Sequence, residues 1–122
     1  MTPMLCSLRS TTSLAFLMVA AMTSCATADD ATGSYWMKKC SEAAPKNAKC
    51  LGYLNAIRDM NQMLTEVFEQ PLWCAPKAVT VGQLRHVILS ELGAAPPARL
   101  SQPFAGLATL ALKSRFPCPA KA

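Results

Sequence analysis

A chain of 122 residues with a formal net charge of +5 has room for one domain and is too short for a multidomain enzyme. Charged residues make up 16% of it, against roughly 25% in soluble domains, while 52% of residues are hydrophobic and six are cysteines. An apolar targeting segment and a cysteine-stapled core both lower the charged fraction, and the chain has features of each.

The first stretch reads as an address. Arg9 is the only charge before Asp29, and Leu14 to Met22 form an unbroken apolar run of nine residues. Crossing a bilayer takes about 20 residues, so the run is too short for a transmembrane helix. With a positive charge before it and small residues after it, it has the layout of a secretory signal peptide. Ala26-Thr27-Ala28 before Asp29 is an A-x-A cleavage pattern, which makes residues 1–28 the signal peptide and 29–33 a short flexible N-terminus. The product of that cut is a soluble exported protein. The alternative is Met22-Thr23-Ser24-Cys25, a weaker lipobox-like sequence in which Cys25 is lipidated and anchors the protein to a membrane.

Cleavage removes only Arg9 from the charge count, leaving 11 basic and seven acidic residues and a net charge of +4. The basic residues are scattered, without the clustered patch of a nucleic-acid binder, and export also argues against nucleic acid. A mildly basic surface of this kind suits an acidic partner or plain solvation.

Residues 34–43 read as a short helix stopped by Pro45. A second helix spans about Ala48 to Glu69, with Leu54, Ile57, Leu64, Val67 and Phe68 recurring at three- and four-residue steps and Met60 and Met63 flanking them. Arg58, Asp59, Asn61, Gln62, Thr65 and Glu66 fill its other side. Pro71 ends it, and residues 70–79 form a loop. Thr80-Val-Gly-Gln83 is a capping box that opens a third helix with the stripe Leu84, Ile88 and Leu92 and with Gly93 as its C-terminal cap. After the rigid Ala94-Ala-Pro-Pro97 connection a last helix covers about 100–115, with Leu100, Phe104, Leu107 and Ala111 on one face and Pro103 in its first turn. No β-strand pattern is present. The expectation is an all-α fold over 34–119: a small bundle of about four helices.

Cys40, Cys50, Cys74 and Cys118 remain in the exported chain and imply two disulfides. A short connection makes the first two helices antiparallel, so Cys40 at the end of one lies beside Cys50 at the start of the next. Cys74 precedes the third helix and Cys118 follows the fourth, so those outer ends also meet. The predicted pairs are therefore Cys40–Cys50 and Cys74–Cys118. Loop entropy gives the longer bridge on the order of 4 kcal/mol and the shorter about 2–3.

Catalytic chemistry is hard to place. His86 is the only histidine and lies off the apolar stripe of its helix, and a Cys–His nucleophile pair needs a thiol that disulfides consume. Cysteine gaps of 10, 24 and 44 positions do not suit structural zinc. There is no glycine-rich phosphate loop, no Ser/His/Asp arrangement and no obvious carboxylate pair. Asp59, between apolar positions of the second helix, reads as a surface charge or local hydrogen-bonding group. The sequence assigns no catalytic residue, no metal and no cofactor. A small exported helical protein of this sort works by its surface: it binds, blocks, chaperones or scaffolds.

Several elements together resemble a known family. They are Cys50-Leu-Gly52-Tyr53-Leu-Asn-Ala56-Ile-Arg-Asp59, Trp73-Cys74-Ala-Pro76, Val79-Thr80-Val-Gly82-Gln83-Leu84, then Leu92, Pro97 and Leu100, and finally Phe116-Pro117-Cys118. Over about residues 35–118 the chain resembles the Rap/Tai family of type VI secretion amidase immunity proteins. Ala56 stands where that family often has Gly. The resemblance implies a small all-α fold, often a homodimer, that is not an enzyme. It implies a periplasmic protein that neutralises a secreted peptidoglycan amidase by occluding its active site. A small envelope-stress or chaperone-like binding protein is the alternative, for which Met60 and Met63 would offer an adaptable surface; core packing is the plainer use of those methionines.

The residues themselves offer contact candidates. The disulfide-tethered loop carries Glu69, Gln70, Trp73 and Lys77, and the proline-rich connection carries Arg99. Rigid loops lose little entropy on docking, and Trp and Arg are frequent hot-spot residues. Against this, Trp73 also fits as a core residue beside the disulfide.

Overall fold

The computed structural model describes residues 31–121. The expected signal peptide, its cleavage site and the lipidation alternative at Cys25 lie outside the described residues. The chain forms five helices and, among the described residues, no strand beyond one isolated bridge between Thr32 and Pro103.

Helix α1, Gly33–Ser41, starts at Thr32, whose side chain accepts from the Tyr35 amide. It buries Gly33, Trp36 and Cys40, three and four residues apart. The helix ends at Ser41 rather than at 43. Its last carbonyls are taken by a side chain: Arg85 donates Nε to the Cys40 carbonyl at 2.6 Å and Nη2 to the Glu42 carbonyl at 3.3 Å. Gly33, within the segment expected as a flexible end, is part of the fold. Its amide donates to the Gln102 carbonyl at 2.9 Å, and a Cβ there would stand 2.5 Å from Leu107 Cδ1 and 3.0 Å from the Leu100 carbonyl oxygen.

Helix α2, Ala48–Phe68, has 21 residues, about 31 Å at 1.5 Å per residue. Helix α3, Val81–Leu92, has 12 residues and opens on the expected capping box, in which Thr80 and Gln83 satisfy each other's backbone amides. Leu84, Ile88 and Leu92 are all buried. Gly93 is the C-cap of α3, as expected, in right-handed helical conformation, φ −61°; the C-cap of α2 is Glu69, in the left-handed region at φ 53°, with its amide on the Leu64 carbonyl.

The single last helix expected over 100–115 is two: α4, Pro97–Leu100, and α5, Phe104–Arg115. Pro103 is the N-cap of α5 rather than part of its first turn. Proline disfavours helical backbone at the residue before it, so the turn begun at Pro97 breaks off ahead of Pro103. Ser101 closes α4 with its amide on the Pro97 carbonyl and its hydroxyl on the Ala98 carbonyl.

Helix α3 is central and packs against α1, α2 and α5. The core joins Trp36, Leu54, Leu84, Ile88, Leu92, Phe104, Leu107 and Leu112 with both cysteines of the first bridge. Trp36 lies 4.2 Å from Tyr53 and 5.8 Å from Phe104, centroid to centroid, which knits α1, α2 and α5. Cys40 is bonded to Cys50, with Cα atoms 5.1 Å apart, and Cys74 to Cys118, 4.8 Å apart. These are the pairs that the two-hairpin argument predicts. No helix among the described residues is long and apolar enough to cross a membrane.

Candidate interaction surface

The stripe of α2 that faces the core runs Cys50, Leu54, Ile57, Asn61. It includes an asparagine that amphipathic pattern alone assigns to the polar side. Asn61 is 8% exposed, and all of its amide is used. Oδ1 accepts from the Leu72 amide at 2.8 Å and the Trp73 amide at 3.3 Å, while Nδ2 donates to the Trp73 carbonyl at 3.0 Å. The loop after α2 is thus strapped back onto the helix it leaves. The Cys74–Cys118 bridge, the Cys74 amide on the Phe116 carbonyl at 2.8 Å and Lys121 Nζ on the Glu69 carbonyl at 3.2 Å tie the same loop to the chain end.

Beyond Asn61, α2 outruns its neighbours. Helices α3 and α5 are each about 18 Å long, so the last turns of α2 overhang the bundle. Met60, Met63, Val67 and Phe68 are 54%, 44%, 65% and 57% exposed. The apolar pattern that predicts core over the whole helix therefore holds only for its first half. Met60, Met63 and Val67 share one exposed face of the helix, away from Asn61, while Phe68 continues the line of the core stripe past the end of the bundle. Asp59 is exposed, as a surface charge should be.

On the other flank of α2, a cleft of about 590 Å³ opens between the helix and the strapped loop, with Arg58, Gln62, Trp73, Cys74 and Lys77 among its lining. Trp73 itself is 4% exposed and lies 6.4 Å from the Phe116 ring. It anchors the loop. Its indole Nε1 is a buried side-chain donor without a hydrogen-bond partner. Glu69, Gln70 and Lys77 are exposed around it, so the structure gathers four of the candidate contact residues in one region. Arg99 is not with them. It sits on α4, past the C-terminal end of α3, whereas the loop precedes the N-terminal end of α3. The length of α3, about 18 Å, separates the two.

His86 is exposed. No group of three His, Cys, Asp or Glu side chains among the described residues could hold a metal ion. The arrangement is one of shape and surface: a strapped loop and a cleft on one side of α2 and an exposed apolar stripe on the opposite side. The clamp that builds it, Asn61, is not singled out by motif. The signal for Asn61 is its spacing, four residues after Ile57 on the core stripe.

The model of the family described as Rap1a immunity proteins matches residues 32–118, from the cap of α1 to the last disulfide cysteine. Neither a curated protein nor a solved structure matches the chain.

Proposed function

We infer function from family: the chain belongs to the Rap1a immunity proteins, whose role is to bind a cognate effector, and we propose that the effector here is a type VI secreted peptidoglycan amidase. On this reading the protein works in the periplasm after export and has no catalysis of its own. It stops the amidase by covering its active site, with the strapped loop at 69–79 as the docking element. The observation that carries the reading is the family match over the whole described fold, joined to a loop held rigid at both ends by Asn61 and by Cys74–Cys118. A rigid loop docks with little loss of entropy. The two disulfides fit an oxidising compartment.

The exposed apolar stripe Met60, Met63 and Val67 supports a homodimer. Contiguous exposed apolar side chains on one helix mark an interaction site, and a helix face pairs with a copy of itself about a two-fold axis.

The deciding experiment sends a type VI secreted peptidoglycan amidase, sought among the neighbouring genes, to the periplasm, alone and with the full-length chain. The cells should lyse in the first case and grow in the second, and the purified pair should form a stable complex. Lysis despite co-expression, with no complex, ends the proposal. The exposure of Met60 and Met63 favours a second reading, a client-holding protein with an adaptable surface. It differs in predicting protection of many unfolded clients and no preference for one enzyme.

A further inference from the structure

We propose that the Cys74–Cys118 disulfide is a thiol-exchange site, opened by a dithiol while Cys40–Cys50 stays closed and the helices stay folded. The two bridges differ in access. Cys40 and Cys50 are both 0% exposed and pack in the core. Cys74 and Cys118 are both half-buried, and Cys74 lines the cleft beside α2 together with Arg58 and Lys77. Exchange begins when a thiolate reaches one sulfur of the pair, so access and the stability of the leaving thiolate decide which bridge reacts. The sealed bridge offers no approach until the core opens.

The step balances without a further oxidant or reductant. A thiolate of the incoming dithiol bonds to Cys118 Sγ, the S–S bond breaks, and its electron pair leaves on Cys74 Sγ. That thiolate forms in an open cleft whose lining carries Arg58, Lys77 and the carboxylate of Glu66. It then takes a proton from water. The second thiol of the dithiol, deprotonated, attacks the mixed disulfide and frees Cys118, which is protonated in turn. The dithiol loses two electrons as it closes its own disulfide, and the protein gains two thiols.

Neither Cys74 nor Cys118 lies in a helix or among the buried core residues. After opening, the loop keeps the bonds of Asn61 to Leu72 and Trp73. What is released is the stretch 74–79 and the chain after Phe116, still joined by the Cys74 amide on the Phe116 carbonyl and by Lys121 on Glu69.

The test treats the full chain, as purified with both bridges, with graded dithiothreitol under native conditions. Iodoacetamide then blocks free thiols, peptides are mapped by mass, and circular dichroism is followed in parallel. At the dithiothreitol level that leaves Cys74 and Cys118 roughly 90% alkylated, Cys40 and Cys50 should be under about 10%, with the helical signal unchanged. Alkylation of all four cysteines together, earlier alkylation of Cys40 and Cys50, or loss of helix with the first alkylation would each overturn the proposal. So would the absence of any alkylation short of unfolding. A Cys74→Ser/Cys118→Ser double variant gives an independent check. It should keep its helical signal and leave Cys40–Cys50 unalkylated over the same range. A collapsed variant would show that the bundle depends on this bridge and would sink the idea as well.

Discussion

Asn61 holds the loop by three hydrogen bonds from a position that the helix buries. Truncating it strips two backbone amides and a carbonyl of their partners where water reaches poorly. Unsatisfied buried polar groups cost more than an average hydrogen bond contributes, so Asn61→Ala should lose about 2–4 kcal/mol in urea unfolding. Amide exchange at Leu72 and Trp73 should accelerate at the same time; unchanged protection there would show that something other than Asn61 holds the loop. Trp73 behaves differently. Its indole N–H has no acceptor, so Trp73→Phe gives up volume and no hydrogen bond. It should cost less than about 1.5 kcal/mol, against about 3–5 for Trp73→Ala. Gly33 is the tight spot at the start of the fold. A methyl there meets Leu107 and the backbone of Leu100, so Gly33→Ala should lower stability by about 1–3 kcal/mol. A variant as stable as the parent would mean that α1 shifts without cost. None of these three roles follows from residue type alone. Only the spacing of Asn61 on the core stripe carries a trace of its role, because a polar residue on such a stripe must find backbone partners.

At the scale of elements, the sequence was readable where each helix has neighbours along its full length. The stripe of α3 is buried throughout because α1, α2 and α5 surround it. Helix α2 was half readable. Periodicity tells which side is apolar but not how far the neighbours reach, and the shorter α3 and α5 leave the last turns of α2 bare. The break between α4 and α5 was signalled by Pro103, but its cost falls on the residue before it, which moves the helix start to Phe104. The bare apolar stripe sets the prediction for this scale. Met63→Gln places a polar, uncharged side chain at an exposed site without adding to the acids Asp59 and Glu66 one turn away, so the monomer should keep its stability within about 0.5 kcal/mol. If that face pairs two copies, the amide is buried without a partner in the interface, and light scattering after size exclusion should move from dimer mass towards monomer mass. A parent protein of monomer mass would remove the dimer from the proposed function and leave the stripe to another partner.

The whole molecule has two ends. Its helical hairpins were legible as a pairing of four cysteines, because short connections force antiparallel neighbours and bring the outer ends together. The distribution of contact residues over that frame was not legible. Glu69, Gln70 and Lys77 surround the strapped loop, and Arg99 sits beyond the far end of α3. One enzyme cleft that accepts the loop therefore has Lys77 at its mouth and leaves Arg99 about 18 Å away along the helix axis. Reversing the charge at each position separates the ends. With the cognate amidase in a calorimeter, Lys77→Glu should weaken binding by about tenfold, equal to about 1.4 kcal/mol, while Arg99→Glu should stay within about twofold of the parent. Both side chains are exposed, so neither change should disturb folding, and thermal unfolding of each variant checks this. Loss of binding by Arg99→Glu with Lys77→Glu unaffected would place the docking end at α4 and free the disulfide-tethered loop from contact with the enzyme.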